Sequence, residues 1–304
     1  MDVSRKRHWP LLAVLVLVLA LVGAGCGDDE EGGGGAAATA TPKAEVEKFQ
    51  PGTPLGDIQE KGEIAIGVKY DVPPFGFKNP QNNEIEGFDV DLGKQIAEEL
   101  GVKPKFIEAI SDNRIPFLQD GTADVILSTM TINAERDLEI DFSEPYYVAK
   151  GRILVKGDND EIKGVDDLAG KKVCTALGST YEETLKKQAP KAKLSLVDSY
   201  SECLELIQNG AVDAVSTDDV ILTGMIIQDD TLKLVEGEAL TTEPYGAGIK
   251  DGDKELQGFV TEVVAKWKQD GGWADAYQKW VGQYTNEEQE PPTMTLEEAI
   301  EMSK

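Results

Sequence analysis

The sequence predicts an α/β protein built as two similar lobes, and two observations carry that prediction. Short β-branched runs alternate with longer amphipathic ones, the pattern of strands layered with helices. One unit also recurs: LQDGTADVILST from Leu118 and IQNGAVDAVSTD from Ile207 set a helix end, a glycine turn, an aspartate and a strand in the same order, 89 residues apart. In that register Gly121 matches Gly210, Asp124 matches Asp213, and Thr129 and Asp218 share the place at the strand's end.

The chain of 304 residues opens with Arg5, Lys6 and Arg7, the apolar run LLAVLVLVLALV and the small residues of LVGAGC, which is how an export signal is laid out. The run is shorter than the roughly 20 residues of a spanning helix. LVGAGC resembles the lipobox that is cut before an acylated cysteine. Residues 1–25 are therefore expected to be removed, leaving Cys26 as a lipid anchor on the outer face of the cell membrane. An ordinary cleaved signal with Cys26 in a disulfide is one alternative, and an uncleaved membrane anchor is the other. Residues 26–48, rich in Gly, Ala and acid, cannot bury enough surface to fold and read as a flexible tether.

The fold is expected to begin near Phe49. IAIGVKY reads as a strand, and FDVDLGKQIAEELG as a helix with Phe88, Leu92, Ile96 and Leu100 on one face. The strand VKPKFIEA, a helix around NRIPFLQDG and the strand ADVILST follow. Then come the strands RILVKG, KKVCTAL and KLSLVD, a helix through SECLELIQNG and the strand VDAVST. From residue 286 the acidic, proline-broken NEEQEPPTMTLEEAIEMSK reads as a tail with at most one short helix.

Composition excludes several chemistries. The sole histidine, His8, lies in the signal segment, so the mature chain has no imidazole. Ser-His-Asp and Cys-His triads are impossible, and zinc sites of His and Cys are unavailable. There is no GK[ST] phosphate loop and no GxGxxG between strand and helix, while KGDNDEIKG lacks the spacing of a calcium loop. No metal or cofactor is expected. Lys and Arg total 30 against 56 Asp and Glu. Removing residues 1–25 takes away three basic residues and Asp2, leaving 27 against 55, a formal −28 that repels nucleic acid and anionic lipid. Cys174 and Cys203 remain in an oxidising setting, where a disulfide is plausible and two separate buried thiols are the alternative.

Ligands of open α/β sheets bind at the carboxyl ends of the strands, where loops and helix N-termini present backbone N–H groups. Thr129, Arg136 and Asp218 belong there by the internal echo, and Gly178, Ser179 and Thr180 precede a helix in ALGSTYEETL. A cleft with Arg136 on one side and Asp218 on another is complementary to a zwitterion, because guanidinium grips a carboxylate and carboxylate grips an ammonium. The plainer reading of Asp218 and of Ser179 and Thr180 is helix capping.

Five stretches, YDVPPFGF, GFDVDLGKQIAEELG, RIPFLQDGTADVILSTMTINAER, DFSEPYY and LGSTYEETL, together resemble the periplasmic polar amino-acid-binding proteins of ABC transporters, from about Gly62 to Tyr284. The resemblance implies a two-lobed, hinged periplasmic-binding-protein fold with mixed sheets and the ligand between lobes. Residues 49–150 and 245–285 would form lobe 1 and residues 151–244 lobe 2, with crossings near Ala149–Ile153 and Thr242–Gly246. It also implies that Arg136 and the backbone N–H groups of Thr131 and Thr180 hold the α-carboxylate, and that Thr129 and Asp218 hold the ammonium. Phe75 would pack on the ligand stem, whereas Phe77 reads as core.

Lys69, Ser111 and Arg114 match positions that face the distal carboxylate in glutamate- and aspartate-binding relatives, although Lys69 replaces an arginine and Tyr200 a histidine found in some of them. Two positives beyond the Arg136 and Asp218 pair point to L-glutamate, with aspartate second, since a neutral ligand would leave a buried charge uncompensated. The expected protein is a monomeric, non-enzymatic receptor that delivers its ligand to an ABC permease. Glutamine or asparagine is the alternative ligand, and a sensor for a membrane signalling partner the alternative role. A carboxylate-based dehydratase using Glu108, Asp112 or Glu144 is the remote one.

Overall fold

Strands buried on both faces found each lobe. In the computed structural model, which describes residues 46–285 and 288–304, the chain enters lobe 1 through α1 (Pro54–Lys61). The Thr53 hydroxyl caps this helix by accepting from Gly56 N. The export signal, Cys26 and nearly all of the tether lie outside the described residues. β1 (Glu63–Val68) buries Ile64, Ile66 and Val68 completely. The short β2 (Asp71–Val72), β3 (Gly76–Lys78) and β4 (Ile85–Glu86) form a separate antiparallel sheet.

In α2 (Phe88–Leu100), Phe88, Leu92, Ile96 and Leu100 are all buried, the stripe that their helical spacing requires. β5 (Lys103–Glu108) then pairs parallel with β1, α3 (Arg114–Gln119) follows, and β6 (Val125–Ile126) pairs with β1 on its other side. β6 is shorter than ADVILST suggests, so Thr129 lies three residues past it; β7 (Ile140–Phe142) comes next.

β8 (Tyr147–Lys156) carries the chain into lobe 2, which continues through β9 (Lys172–Ala176), α4 (Thr180–Gln188), β10 (Lys193–Val197), α5 (Tyr200–Gln208), β11 (Ala214–Asp218), α6 (Asp219–Gln228) and β12 (Leu232–Leu234). Its sheet runs in the order β10-β9-β11-β8-β12. A disulfide between Cys174 and Cys203 ties β9 to α5, which decides between the two readings of these cysteines. β13 (Thr242–Tyr245) brings the chain back beside β8. Tyr147–Lys150 of β8 pair with β13, and Gly151–Leu154 pair with β11, so β8 changes partner as it passes between lobes.

β14 (Gly248–Lys250) then inserts between β6 and β7 and completes the lobe 1 sheet, β5-β1-β6-β14-β7. α7 (Lys254–Gln269), α8 (Gly272–Tyr277), a π-helical stretch (Gln278–Gly282) and α9 (Gln283–Thr285) follow. The tail does form a helix, α10 (Leu296–Glu301), started by a capping box of Thr295 and Glu298. It buries Ala299 in the cluster that holds Ile132 and Phe142, while Glu144 accepts from Leu296 N. Among the described residues no helix is long and apolar enough to cross a membrane.

The internal echo has a physical basis. Gly121 and Gly210 both adopt left-handed φ, 78° and 74°, where a side chain would strain the turn. Asp124 Oδ2 accepts Ala65 N at 2.7 Å in lobe 1, and Asp213 Oδ2 accepts Lys172 N at 2.7 Å in lobe 2. Each aspartate thus ties its own strand to the start of the neighbouring parallel one.

Candidate functional site: the interlobe cleft

Parallel strands aim their carboxyl ends at one edge of each sheet, and there the candidate residues collect. Lys69 follows β1, Ser111 and Arg114 follow β5, and Thr129 and Thr131 follow β6, with Arg136 on a short 3-10 turn beyond. From lobe 2, Ser179 and Thr180 follow β9, Tyr200 follows β10, and Asp218 ends β11. Ser111, Arg114, Thr129, Thr131 and Arg136 line a small cavity with Ser179, Thr180, Tyr181, Tyr200 and Asp218. It shares Thr131, Arg136, Ser179 and Thr180 with a groove of about 680 Å³ that also touches Met302 and Ser303 of the tail.

The lobes are closed on each other. Arg136 donates from Nη1 to Thr131 O at 2.8 Å and from Nη2 across the cleft to Gly178 O at 3.1 Å. Gly178, at φ 72°, sits so near Asp112 that a Cβ would fall 2.6 Å from its Cα. Ser201 N donates to Asp71 Oδ2, and Gly224 of α6 lies against Pro73 O. Burial lowers the Arg136 pKa, partly offset by Glu243 and Asp218.

Asp218 and Ser179 stand at helix N-cap positions, yet neither side chain makes the capping bond. Asp218 Oδ1 instead accepts from the Tyr181 hydroxyl at 2.9 Å, and the Tyr245 hydroxyl faces the same carboxyl. Burial, then the nearby Glu243, raise the Asp218 pKa well above the carboxylate range, so a cationic partner would relieve a real electrostatic cost. Thr129 adopts φ 44°, held there by Asp89 Oδ2, which accepts its N–H at 2.9 Å. Asp89 also accepts from the Tyr146 hydroxyl, and burial pushes its pKa up to about 7. The Thr129 hydroxyl donates to Ser128 O, which leaves its lone pairs to accept.

Arg114 does not have the freedom that a distal-carboxylate ligand needs. It donates to Ser111 O, Ser128 O, Thr129 O and Gly178 O, so four of its five N–H groups hold backbone carbonyls. Burial, then Arg136, press its pKa down to about 9, still charged at neutrality. Lys69, 2% exposed, donates to Ser111 Oγ at 2.8 Å and lies 5.7 Å from the Tyr200 ring centre. Burial, then Arg114, lower its pKa to about 7.

Phe75 is not brought to the cavity. It is fully buried in lobe 1, 4.9 Å from the Tyr147 ring and 5.7 Å from that of Tyr245, because aromatic surface gains more inside this cluster than at a polar cleft. Phe77 packs on Trp280. Of the carboxylates considered for catalysis, Glu108 and Asp112 are exposed and Glu144 is committed to the tail helix.

Four groups escaped the sequence reading: Tyr181, Tyr245, Asp89 and Glu243. Glu243, 3% exposed on β13, accepts from the Thr131 hydroxyl at 2.6 Å and from the Thr180 hydroxyl at 3.0 Å. Its signal was present, since it stands within the crossing Thr242–Gly246, where an acid among apolar and turn residues is out of place.

A model of bacterial extracellular solute-binding proteins, family 3, matches residues 64–283. The chain is 39% identical over 241 residues to the ABC transporter glutamine-binding protein GlnH of Bacillus subtilis, covering 78% of this chain and 88% of that protein. It is 35% identical over 225 residues to the glutamate-binding protein GluB of Corynebacterium glutamicum, covering 70% and 76%. Among solved structures, an ancestral arginine-binding protein bound to glutamine superposes with a TM-score of 0.69 and 40% identity, covering 73% of this chain and 98% of that one.

Proposed function

The chain belongs to the bacterial extracellular solute-binding proteins of family 3, an amino-acid-binding receptor of an ABC transporter, and on that premise we propose that its cleft takes L-glutamine. The observation that carries the choice is the charge balance around the cavity. Arg114 and Arg136 face Glu243 and, once a ligand ammonium favours its ionised form, Asp218, while Lys69, lowered to about 7, loses its charge above neutrality. Above neutrality a ligand with a neutral side chain therefore leaves no buried charge uncompensated. The expectation of glutamate counted the positives without Glu243, and it gave Arg114 the distal carboxylate although backbone carbonyls take four of its five N–H groups. The name of the Bacillus relative and the glutamine in the ancestral structure support the same reading.

In this reading Arg136 and the N–H groups of Thr131 and Thr180 hold the α-carboxylate. Asp218 and Thr129 hold the ammonium, and Lys69, Ser111 and Tyr200 meet the side-chain amide. Glutamate is the second ligand, taken when Lys69 is charged. We further propose a lipid anchor at Cys26, which a Cys26→Ser variant tests by release of the protein into the medium. A thermal-shift panel of the twenty amino acids on residues 46–304, followed by calorimetry, tests the ligand. Glutamine should give the largest shift at pH 8, and a larger shift from glutamate there would overturn the choice.

A further inference from the structure

Glu243 is a buried acid on the crossing strand β13, belonging to neither half of the cleft. A single oxygen, Oε2, accepts from the Thr131 hydroxyl of lobe 1 at 2.6 Å and from the Thr180 hydroxyl of lobe 2 at 3.0 Å. Both threonines border the α-carboxylate position, and Glu243 also counters the charge of Arg136. β13 is held to the lobe 1 loop by Ile132 N donating to Pro244 O and Gly246 N donating to Met130 O. The Thr131 contact therefore travels with lobe 1, whereas Thr180 rides on α4 and moves with lobe 2.

We propose that Glu243 is a closure latch, a positioning residue that joins the two lobes through Thr131 and Thr180 and so favours the closed cleft independently of the ligand. The role extends the receptor reading and rests on it. Thr180 can reach Glu243 only while the lobes are together, so the bond exists in one of the two states and shifts the equilibrium between them. It also leaves the Thr180 N–H for the ligand, because the hydroxyl and not the amide of Thr180 is used. A charge-assisted bond of this kind, worth about 1.5–3 kcal/mol, corresponds to about tenfold or more in the closed-to-open ratio.

The test pairs double spin labels, one on each lobe, with glutamine calorimetry on wild type, Thr180→Ala, Thr180→Ser, Glu243→Ala and the Glu243→Ala/Thr180→Ala double variant. Without ligand, Thr180→Ala and Glu243→Ala should shift the interlobe distance distribution to longer values, and both should weaken glutamine about tenfold through faster dissociation. Thr180→Ser, which keeps the hydroxyl, should restore without ligand the short interlobe distances that Thr180→Ala loses. In the Glu243→Ala background the Thr180→Ala change should have no further effect. Unchanged distances in both single variants, tighter binding in Glu243→Ala, or additive losses in the double variant would each overturn the latch. Because the distances are read without ligand, their outcome is separate from whether glutamine is the right amino acid. If Glu243→Ala does not fold, the Thr180 pair decides alone.

Discussion

Arg136 and Lys69 divide the recognition between a fixed charge and a variable one. Arg136 should be indispensable to any α-amino acid, since its loss leaves a carboxylate unpaired in a closed cleft. Arg136→Ala is expected to weaken glutamine roughly a hundredfold or more by calorimetry, from a cost of about 3–5 kcal/mol. Lys69 titrates near pH 7 in the folded chain against an ordinary 10.5. Between those values the unfolded chain binds more protons than the folded one, so stability climbs with pH across that window, and the full penalty is present below about 7.

Lys69→Met should accordingly resist denaturant better than wild type at pH 6. The same proton sets selectivity. The ratio of glutamate to glutamine affinity should rise as pH falls through 7, because Lys69 gains its charge, and should lose that dependence in Lys69→Met. Taking the ratio cancels the titrations of Asp89 and Asp218, which affect both ligands alike. The placement of Arg136 and Asp218 at or past the ends of strands, on the wall of one cavity, was legible in the sequence. Arg114 and Glu243 were not, because which carbonyl or hydroxyl a buried side chain meets depends on loop packing that has no period.

At the scale of elements, α6 tests closure without touching the ligand. An alanine at Gly224 would set its Cβ 1.7 Å from Pro73 O across the cleft, although alanine favours the helix by about 1 kcal/mol. Gly224→Ala should keep its helical signal while scattering as a more open particle with glutamine, and should bind it more weakly. The disulfide between β9 and α5 closes a loop of 29 residues. Its removal in Cys174→Ser/Cys203→Ser should cost about 3.6 kcal/mol by the loop-entropy model, read from the denaturant midpoint of lobe 2. Elements marked by strong periodicity, such as α2, and by the repeated glycine and aspartate were readable in advance. The extent of β6 was not, since backbone pairing with β14 decides it and β14 is 123 residues away.

For the whole molecule, closure makes two lobes behave as one. Each contributes half of the cavity, so a ligand seen by both couples their unfolding. At a thousandfold excess over its Kd, glutamine should add about 4 kcal/mol. Calorimetry should then show one transition whose calorimetric and van't Hoff enthalpies agree. The chain's formal charge of −26 contrasts with the cleft, where among the described residues the buried cations Lys69, Arg114 and Arg136 gather.

The insertion of β14 between β6 and β7 governs the order in which the molecule can assemble. All the strands of lobe 2 from β8 to β12 precede residue 235, whereas the sheet of lobe 1 lacks an interior strand until residues 248–250 arrive. Growing from its N-terminus, the chain can finish its second lobe before its first. The lobe that begins earliest in the sequence is the last to close its core.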